Sequence, residues 1–514
     1  MTNNEPEWLE ELEARREAHM KMGGETAIAK QHGYGKLTAR ERCDILLDKG
    51  SFFEMGRMAG KGIYDEQGKF IDLEPTNAIM GCGHINDRKV CVTADDYTIK
   101  AGSSEASNPD KWIYAERKAL AYRMPLVRLV ESAGGSVKLL AKMGATKIPE
   151  YPNWPMRQIL DTVPVVGVAM GPCAGLGALK VLASHFSVIV KDTATVMAAG
   201  PPVVKQAYGI DVTKDDLGGY KVHRKSGLVH NEASSEEDAL QQVTKFLSYL
   251  PRNIYRMPLV VKSSDSPDRI EDWLKNAIPT DRRKVFDPRK ILEAIFDLNS
   301  VFEIGKYHGR SLVTSLARIN GYPVGVMIND PKASGGAMST ISAMKNERFV
   351  KLCDQFHLPV VSFIDQPGNE TGVEAEVAGT LLGSLRVHEA QEHSRSPWLS
   401  IMIRRCFGMA GAYHAPKENG ALNHRIAWPT ARWGSIPIEG GVMAAHKQEI
   451  LKADDPIAKQ QELEAYYIDL GSPFKTAERF GIVDIIDPRE TRAVLCEWVE
   501  DAWEVLETDL NKKI

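Results

Sequence analysis

Short apolar runs, each closed by a glycine turn and followed by a helical pattern, recur along this chain. Val163–Met170 reads as a buried strand and Ala178–His185 as a helix. Between them stands Gly171-Pro172-Cys173-Ala174-Gly175-Leu176-Gly177. The first amides of a helix have no partner inside it and point outward, and glycine lets a ligand approach the backbone. Such a turn offers N–H groups to a developing oxyanion. The preceding strand, Met124–Val130, ends in Glu131-Ser132-Ala133-Gly134-Gly135-Ser136, again a glycine turn before a helix. Asn77–Ile85 and Val90–Thr93 form a hairpin about Asn86-Asp87-Arg88, and Phe186–Val190 is a further strand. Strands alternating with helices predict an α/β class with parallel pairing.

The second half repeats this order. Ser300-Val301-Phe302-Glu303-Ile304-Gly305 echoes Ser51-Phe52-Phe53-Glu54-Met55-Gly56. A hairpin recurs over Ser315–Ile328 about Asn320-Gly321, a strong turn signal. Strand Pro359–Ile364 ends in Asp365-Gln366-Pro367-Gly368, and strand Pro397–Ile403 leads into Arg404-Arg405-Cys406-Phe407-Gly408-Met409-Ala410-Gly411-Ala412. An ordered repeat of this length indicates a duplicated domain. Residues 261–288 are rich in Ser, Asp and charge and read as a linker, so the domains are expected at 1–262 and 263–514.

Outside the repeat, Pro6–Met22 reads as a charged helix, either a solvated arm or a piece packed on another part of the chain or another subunit. Thr38, with Glu41 three residues on, predicts a capping box for a helix over Ala39–Leu47. Lys36, Arg40 and Arg42 cluster at its start. Charge pattern alone favours a solvated face there; the other reading is a seat for an anionic group such as a phosphate. Asp454–Leu470 and Thr491–Leu510 close the chain as helices.

Composition narrows the class. The 514 residues exceed one ordinary core. A net charge of -4 argues against nucleic acid as the main partner. No apolar stretch reaches membrane-spanning length, and the acidic N-terminus lacks a signal-type apolar core, so a cytoplasmic or matrix-like compartment is expected. The 7 cysteines are scattered, without a CxxC pair, which suits reduced thiols and offers no zinc ribbon. No metal site is expected. There is no P-loop, GxGxxG, GxSxG or HExxH. Cys173 and Cys406 stand in the key turns as either nucleophiles or small packing residues, with no base assigned to either. The turns offer Gly175 and Leu176 as one amide pair and Gly411 and Ala412 as the other. Two such pairs suit a reaction in which two carbonyl-type oxygens gain charge together.

At several independent points the chain resembles the carboxyltransferase (beta) subunit of biotin-dependent acyl-CoA carboxylases, the propionyl-CoA and methylcrotonyl-CoA carboxylase family. The matching motifs are Gly35-Lys36-Leu37-Thr38-Ala39-Arg40-Glu41-Arg42, Gly50-Ser51-Phe52, Met170-Gly171-Pro172-Cys173-Ala174-Gly175, Leu217-Gly218-Gly219, Leu247–Pro251, Asp365–Gly368 and Ala427–Ala431. The resemblance implies two tandem crotonase-like (ClpP/crotonase) domains related by duplication, in a hexamer of beta subunits. It implies an N-terminal domain that holds acyl-CoA, with Gly175 and Leu176 on the thioester oxygen. It implies a C-terminal domain whose Gly411 and Ala412 hold the ureido oxygen of carboxybiotin. Carboxybiotin would release CO₂, biotin would take the substrate's α proton, and the enolate would attack CO₂. Biotin and its carboxylase would come from a partner alpha subunit. Gly134, Gly135, Gly177, His414, Lys36 and Arg40 are the candidate substrate-binding residues.

Four departures stand out against the family pattern. The usual Gly-Gly is Gly175-Leu176. The second turn holds two extra residues, so Gly408-Met409 is the other possible pair. His414 stands where an Asp that influences acyl choice is expected. Glu131-Ser132-Ala133-Gly134-Gly135-Ser136 replaces Asp-Ser-Gly-Gly-Ala-Arg. Together they point to an acyl-CoA other than propionyl-CoA, larger, branched or polar. The rival readings are a biotin-dependent decarboxylase subunit running the half-reaction backwards, a biotin-free hydratase or isomerase, and a catalytically idle subunit.

Overall fold

The computed structural model describes residues 6–104, 107–144, 148, 150–281, 283–412, 414 and 424–512. The chain divides into two compact units, Met1–Ser248 with Arg252–Ile254, and Tyr249–Pro251 with Tyr255–Ile514.

The strands of the first unit are β1 (Phe53–Glu54), β2 (Gly60–Tyr64), β3 (Phe70–Pro75), β4 (Ala78–Ile85), β5 (Arg88–Asp95), β6 (Leu126–Ser132), β7 (Val165–Ala174), β8 (Phe186–Val190), β9 (Thr195–Met197) and β10 (Asn231–Ala233). Its main sheet runs β1-β4-β5-β6-β7-β8-β10, with β9 paired to β7 and β2-β3 a separate ribbon. Asn86 and Asp87 turn the β4–β5 hairpin with φ of 49° and 63°, the left-handed pair that matches the twist of the flanking strands. From β5 onward the pairing is parallel. β6 and the first seven residues of β7 are buried throughout, as strands covered on both faces must be.

The second unit contains β11 (Phe302–Ile304), β12 (Leu312–Ile319), β13 (Tyr322–Asn329), β14 (Val360–Gln366), β15 (Trp398–Phe407), β16 (His424–Ala427), β17 (Arg432–Gly434) and β18 (Asp484–Ile485). Its order is β11-β12-β13-β14-β15-β16-β18, with β17 on β15. Strand registers show the duplication residue by residue. Cys91 faces Leu126 as Gly325 faces Val360. Ser132 faces Cys173 as Gln366 faces Cys406, each just after a register shift. Cys173 faces Val196 as Cys406 faces Trp433.

The segment read as a linker is part of the second unit and is packed onto it. Arg269 donates to the carbonyls of Ala294 and Phe296 at 2.8 and 2.9 Å, and Arg492 to that of Ser266 at 2.7 Å. Most of the segment's polar residues are exposed, while Leu274, Ala277, Ile278 and Phe286 anchor it in the core. Helix Glu7–Met20 lies on the β2–β3 ribbon, with the Arg15 guanidinium 4.0 Å from the Phe70 ring centre. Helix Thr491–Lys512 buries Leu495, Trp498, Val499, Ala502, Trp503 and Leu506, one stripe of a 3.6-residue period. Among the described residues no helix is long and apolar enough to cross a membrane.

Candidate active site

Three connections leave the C-terminal ends of β5, β6 and β7, where ligands of parallel sheets bind. After β5, Lys100, Ala101 and Gly102 are consecutive left-handed residues, with φ of 49°, 52° and 61°. Gly102 abuts β6: a Cβ there would lie 2.2 Å from the Glu131 carbonyl oxygen. After β6, the Gly134 N–H donates to Ser132 Oγ at 3.2 Å, and a Gly134 Cβ would lie 3.2 Å from the Ala174 carbonyl oxygen. After β7, Gly175 takes φ 56° and ψ -113°, a conformation for glycine alone, and caps helix Leu176–Leu182.

The amides of this turn are unequal. Gly175 N–H is used internally, donating to the Met197 carbonyl at 3.2 Å. Leu176 and Gly177 follow it as the first helical residues, whose N–H groups have no acceptor within the helix. Gly177 is itself buried, and a Cβ there would lie 3.0 Å from Ser132 Cβ. With Gly175 N–H taken, Leu176 and Gly177 are the first amides of the turn without an acceptor in the helix, one residue on from the expected Gly175 and Leu176.

The second unit builds the same object. Ser334, Gly335 and Gly336 after β13 have φ of 46°, 59° and 87°, and Gly336 abuts the Asp365 carbonyl. Gly368 N–H donates to Gln366 Oε1 at 3.1 Å, as Gly134 does to Ser132. Gly408 turns with φ 62°. Counting from the paired cysteines of β7 and β15, Gly408 corresponds to Gly175, Met409 to Leu176 and Gly411 to Ala178. Burial agrees: Gly408 and Met409 are exposed and Ala410 and Gly411 buried, and in the first turn Gly175 is exposed, Leu176 half-buried, and Gly177 and Ala178 buried.

Gly411 and Ala412 are thus not the second amide pair. Helix Gly408–Ala412 opens at Gly408, so their N–H groups point back to the carbonyls of the preceding turn. A Cβ on Gly411 would lie 2.9 Å from the Cys406 carbonyl carbon, so that glycine serves packing. Gly408 and Met409 head the second turn, and the amides of Gly408, Met409 and Ala410 have no acceptor within its helix. The two extra residues hide this register in the sequence, because Gly411-Ala412 also reads as the Gly-Ala end of the motif.

Across residues 30–513 the chain matches the carboxyl transferase domain model. The chain belongs to the carboxyl transferase domain family. This carboxyltransferase is 32% identical over 488 residues to a propionyl-CoA carboxylase carboxyltransferase subunit of Haloferax mediterranei, covering 94% of each chain. It is 30% identical over 474 residues to the methylmalonyl-CoA decarboxylase subunit alpha of Veillonella parvula, covering 91% of each. A solved transcarboxylase 12S, described as a hexamer with methylmalonyl-coenzyme A and methylmalonic acid bound, superposes with a TM-score of 0.86 at 28% identity, covering 99% of this chain and 97% of that one. The fold class stands accordingly as two tandem crotonase-like domains.

The remaining candidates of the carboxyltransferase divide into loop and scaffold. Gly134 lies against the first turn, and Gly135 beside it is exposed. Lys36 is buried and pairs with Glu131, which also accepts from Gln31 at 2.9 Å and pairs with Arg42 at 2.7 Å. Arg40 forks onto Glu54 at 2.8 and 3.2 Å. Neither cation is left as an open phosphate seat, and neither is a merely solvated face. His414 is fully buried beneath the second turn instead of lining a pocket.

Glu131 and its counterpart Asp365 are not marked as site residues by the motifs alone. Both are fully buried at the ends of their strands. Asp365 accepts from Arg404 at 3.0 and 2.6 Å and from Arg405 at 2.6 and 2.9 Å. Arg405 also donates to the Gly335 carbonyl at 2.6 Å, tying β14, β15 and the left-handed turn together. In the first unit Gly171 leaves room for Glu131: a Cβ there would lie 2.3 Å from its carboxylate. The repeated spacing from Asp96 to Gly102 and from Asp330 to Gly336 is the sequence signal that would have found the left-handed turns.

Burial disfavours the thiolate at both turn cysteines. Cys173 is buried, which pushes its pKa well up, and it donates to the Val130 carbonyl at 3.2 Å. Burial pushes the Cys406 thiol up to about 11. Both stay protonated at neutral pH, which leaves the backbone amides as the turns' chemical groups.

Proposed function

We propose that this carboxyltransferase is the component of a biotin-dependent acyl-CoA carboxylase that places a carboxyl group on the α (or vinylogous) carbon of an acyl-CoA. The observation that carries the reading is the pair of register-matched turns, each heading a helix whose first amides have no acceptor within it, with protonated thiols behind. The relatives' printed ligands and names supply the thioester class.

In this reading the first unit takes the acyl-CoA. The Leu176 and Gly177 amides bind the thioester oxygen as it gains charge with loss of the α proton, which holds the enolate in place. The Gly408 turn would hold biotin through the Met409 and Ala410 amides on the ureido oxygen. It fits a neutral ureide: Gly408 is exposed, and the adjacent cations Arg404 and Arg405 are already held by Asp365. Biotin, when bound, supplies the carboxyl group and the acceptor for the α proton. An alpha subunit carrying biotin and biotin carboxylase is the required partner, and a homo-hexamer the expected assembly.

Leu176 and Met409 both follow the turn glycine, so both turns carry a side chain where the family pattern has glycine. We infer from this an acyl group other than propionyl. A decarboxylase is the second reading, favoured by the Veillonella relative, because the same amides stabilise the same enolate in reverse. The test is an assay with the cognate alpha subunit, ATP and bicarbonate over a panel of acyl-CoAs, with avidin as control. Avidin-sensitive carboxylation that favours one thioester supports the reading. Equal turnover of acetyl- and propionyl-CoA with no better substrate would defeat the acyl-group inference. Avidin-sensitive CO₂ release from a dicarboxylic acyl-CoA alone would establish the decarboxylase.

A further inference from the structure

His414 is fixed at its backbone and at its ring by residues of the second unit. Its N–H donates to the Gly411 carbonyl at 3.2 Å. Its carbonyl accepts from the Ser400 hydroxyl at 3.0 Å and the Trp398 indole at 3.3 Å. In the ring, Nδ1 lies 3.4 Å from Ser362 Oγ, and Nε2 lies 3.4 Å from Gln366 Nε2 and 3.5 Å from Asn329 Nδ2.

The orientation of the two amide side chains is set from their other ends. Asn329 Oδ1 accepts the Asp365 N–H at 3.0 Å, and Gln366 Oε1 accepts the Gly368 N–H at 3.1 Å. A backbone N–H only donates, so both amide oxygens face those groups and both NH₂ groups face the imidazole. His414 Nε2 therefore meets two donors and must be a bare acceptor. The ring proton sits on Nδ1, toward Ser362 Oγ.

We propose that His414 is a positioning residue, a permanently neutral imidazole that orients Asn329 and Gln366 and, through them, the connections flanking the Gly408 turn. Gln366 fixes the loop at Gly368, and Asn329 Nδ2 lies 3.5 Å from the Gly336 carbonyl of the left-handed turn. Protonation at Nε2 would set a third N–H against two donors. Burial holds the ring down at about 4, with no charged group contributing. The charged side chains of the adjoining strands, Asp365, Arg404 and Arg405, pair with one another.

The first unit fills the equivalent place by other chemistry. Ser362 corresponds to Arg128. Arg128 is held by Glu116 at 2.8 and 2.9 Å and donates to the carbonyls of Lys180 and Ala183 at the end of the first turn's helix. A buried polar group thus stands beside each turn, with different chemistry in the two units.

Solid-state NMR of the full-length protein labelled with ¹⁵N-histidine tests the tautomer directly, with His414→Gln for assignment. The expected result is an Nδ1–H signal unchanged from pH 8 to pH 5; an Nε2–H tautomer or an imidazolium in that range would overturn the proposal. The kinetic arm rests on the reading of the second unit as the biotin side. His414→Gln keeps an oxygen that can accept both amide N–H groups, and should hold kcat within about threefold, whereas His414→Leu should lower it roughly 10- to 100-fold with KM for acyl-CoA unchanged. Leu equal to or better than Gln would mean simple packing and would overturn it. The NMR outcome stands whether or not the chain proves to use biotin.

Discussion

Gly175 and Gly408 aim the amides that follow them, and neither can be replaced at no cost. Their φ of 56° and 62° lie where a side chain is strained by about 1–3 kcal/mol. Alanine at either position should leave a folded protein with kcat lowered roughly 10- to 100-fold, measured in the acyl-CoA assay beside a thermal melt. Gly411→Val should act differently. Its Cβ would meet the backbone of Cys406 at 2.9 Å, so stability falls first and the melt shows it. Leu176→Gly keeps the amide and removes the half-buried side chain. The expected outcome is a panel shifted toward bulkier acyl groups with kcat retained; an unchanged ranking would clear Leu176 of any part in selection.

The strand ends that carry these turns are held by buried carboxylates. Glu131 neutralises Lys36 and Arg42 with all three side chains buried. Removing it strands Lys36 and leaves Arg42 to Glu236 alone, which holds it at 2.7 Å, and Glu131→Ala should cost about 3–5 kcal/mol in urea unfolding. Glu54 anchors a different pair of elements, since it takes hydrogen bonds from His19 of helix Glu7–Met20 and from Arg40. Burial alone would raise its pKa, but these two partners outweigh burial and hold it at about 2. A depressed carboxylate stabilises above its unfolded pKa and loses that contribution as pH falls through the folded one. Glu54 should therefore stabilise the fold at neutral pH, a contribution lost as pH falls from ~4.5 through about 2. Hydrogen exchange of helix Glu7–Met20 should rise across that window in the native protein, and Glu54→Gln should abolish the rise.

The chain as a whole is one domain plan used twice, with the same strand order, the same register shift and the same left-handed turn after the third strand of each sheet. The two copies diverge where chemistry differs: the cations that meet Glu131 come from the N-terminal segment, those that meet Asp365 from β15 itself. In the proposed function the two copies serve different ligands, so activity requires an alpha subunit. Light scattering of the purified chain should give a hexamer, and carboxylation should appear only when the alpha subunit is added. A stable monomer fully active without biotin would overturn the reading.

The periodicity of the chain by itself determined the α/β class, the duplication and the place of both turns, because buried strands and glycine turns are local in sequence. The capping box at Thr38 and the two hairpin turns were legible for the same reason, since each depends on residues within a few positions. Which amides of each turn are taken up internally was not legible. That depends on Gly175 N–H finding Met197 on a separate strand, and on where helix Gly408–Ala412 opens. The roles of Lys36, Arg40 and His414 were likewise decided only by tertiary structure. Their partners Glu131, Glu54, Asn329 and Gln366 are distant in sequence, and a cation or imidazole reads as a ligand-binding group until the chain places a buried acceptor or donor against it.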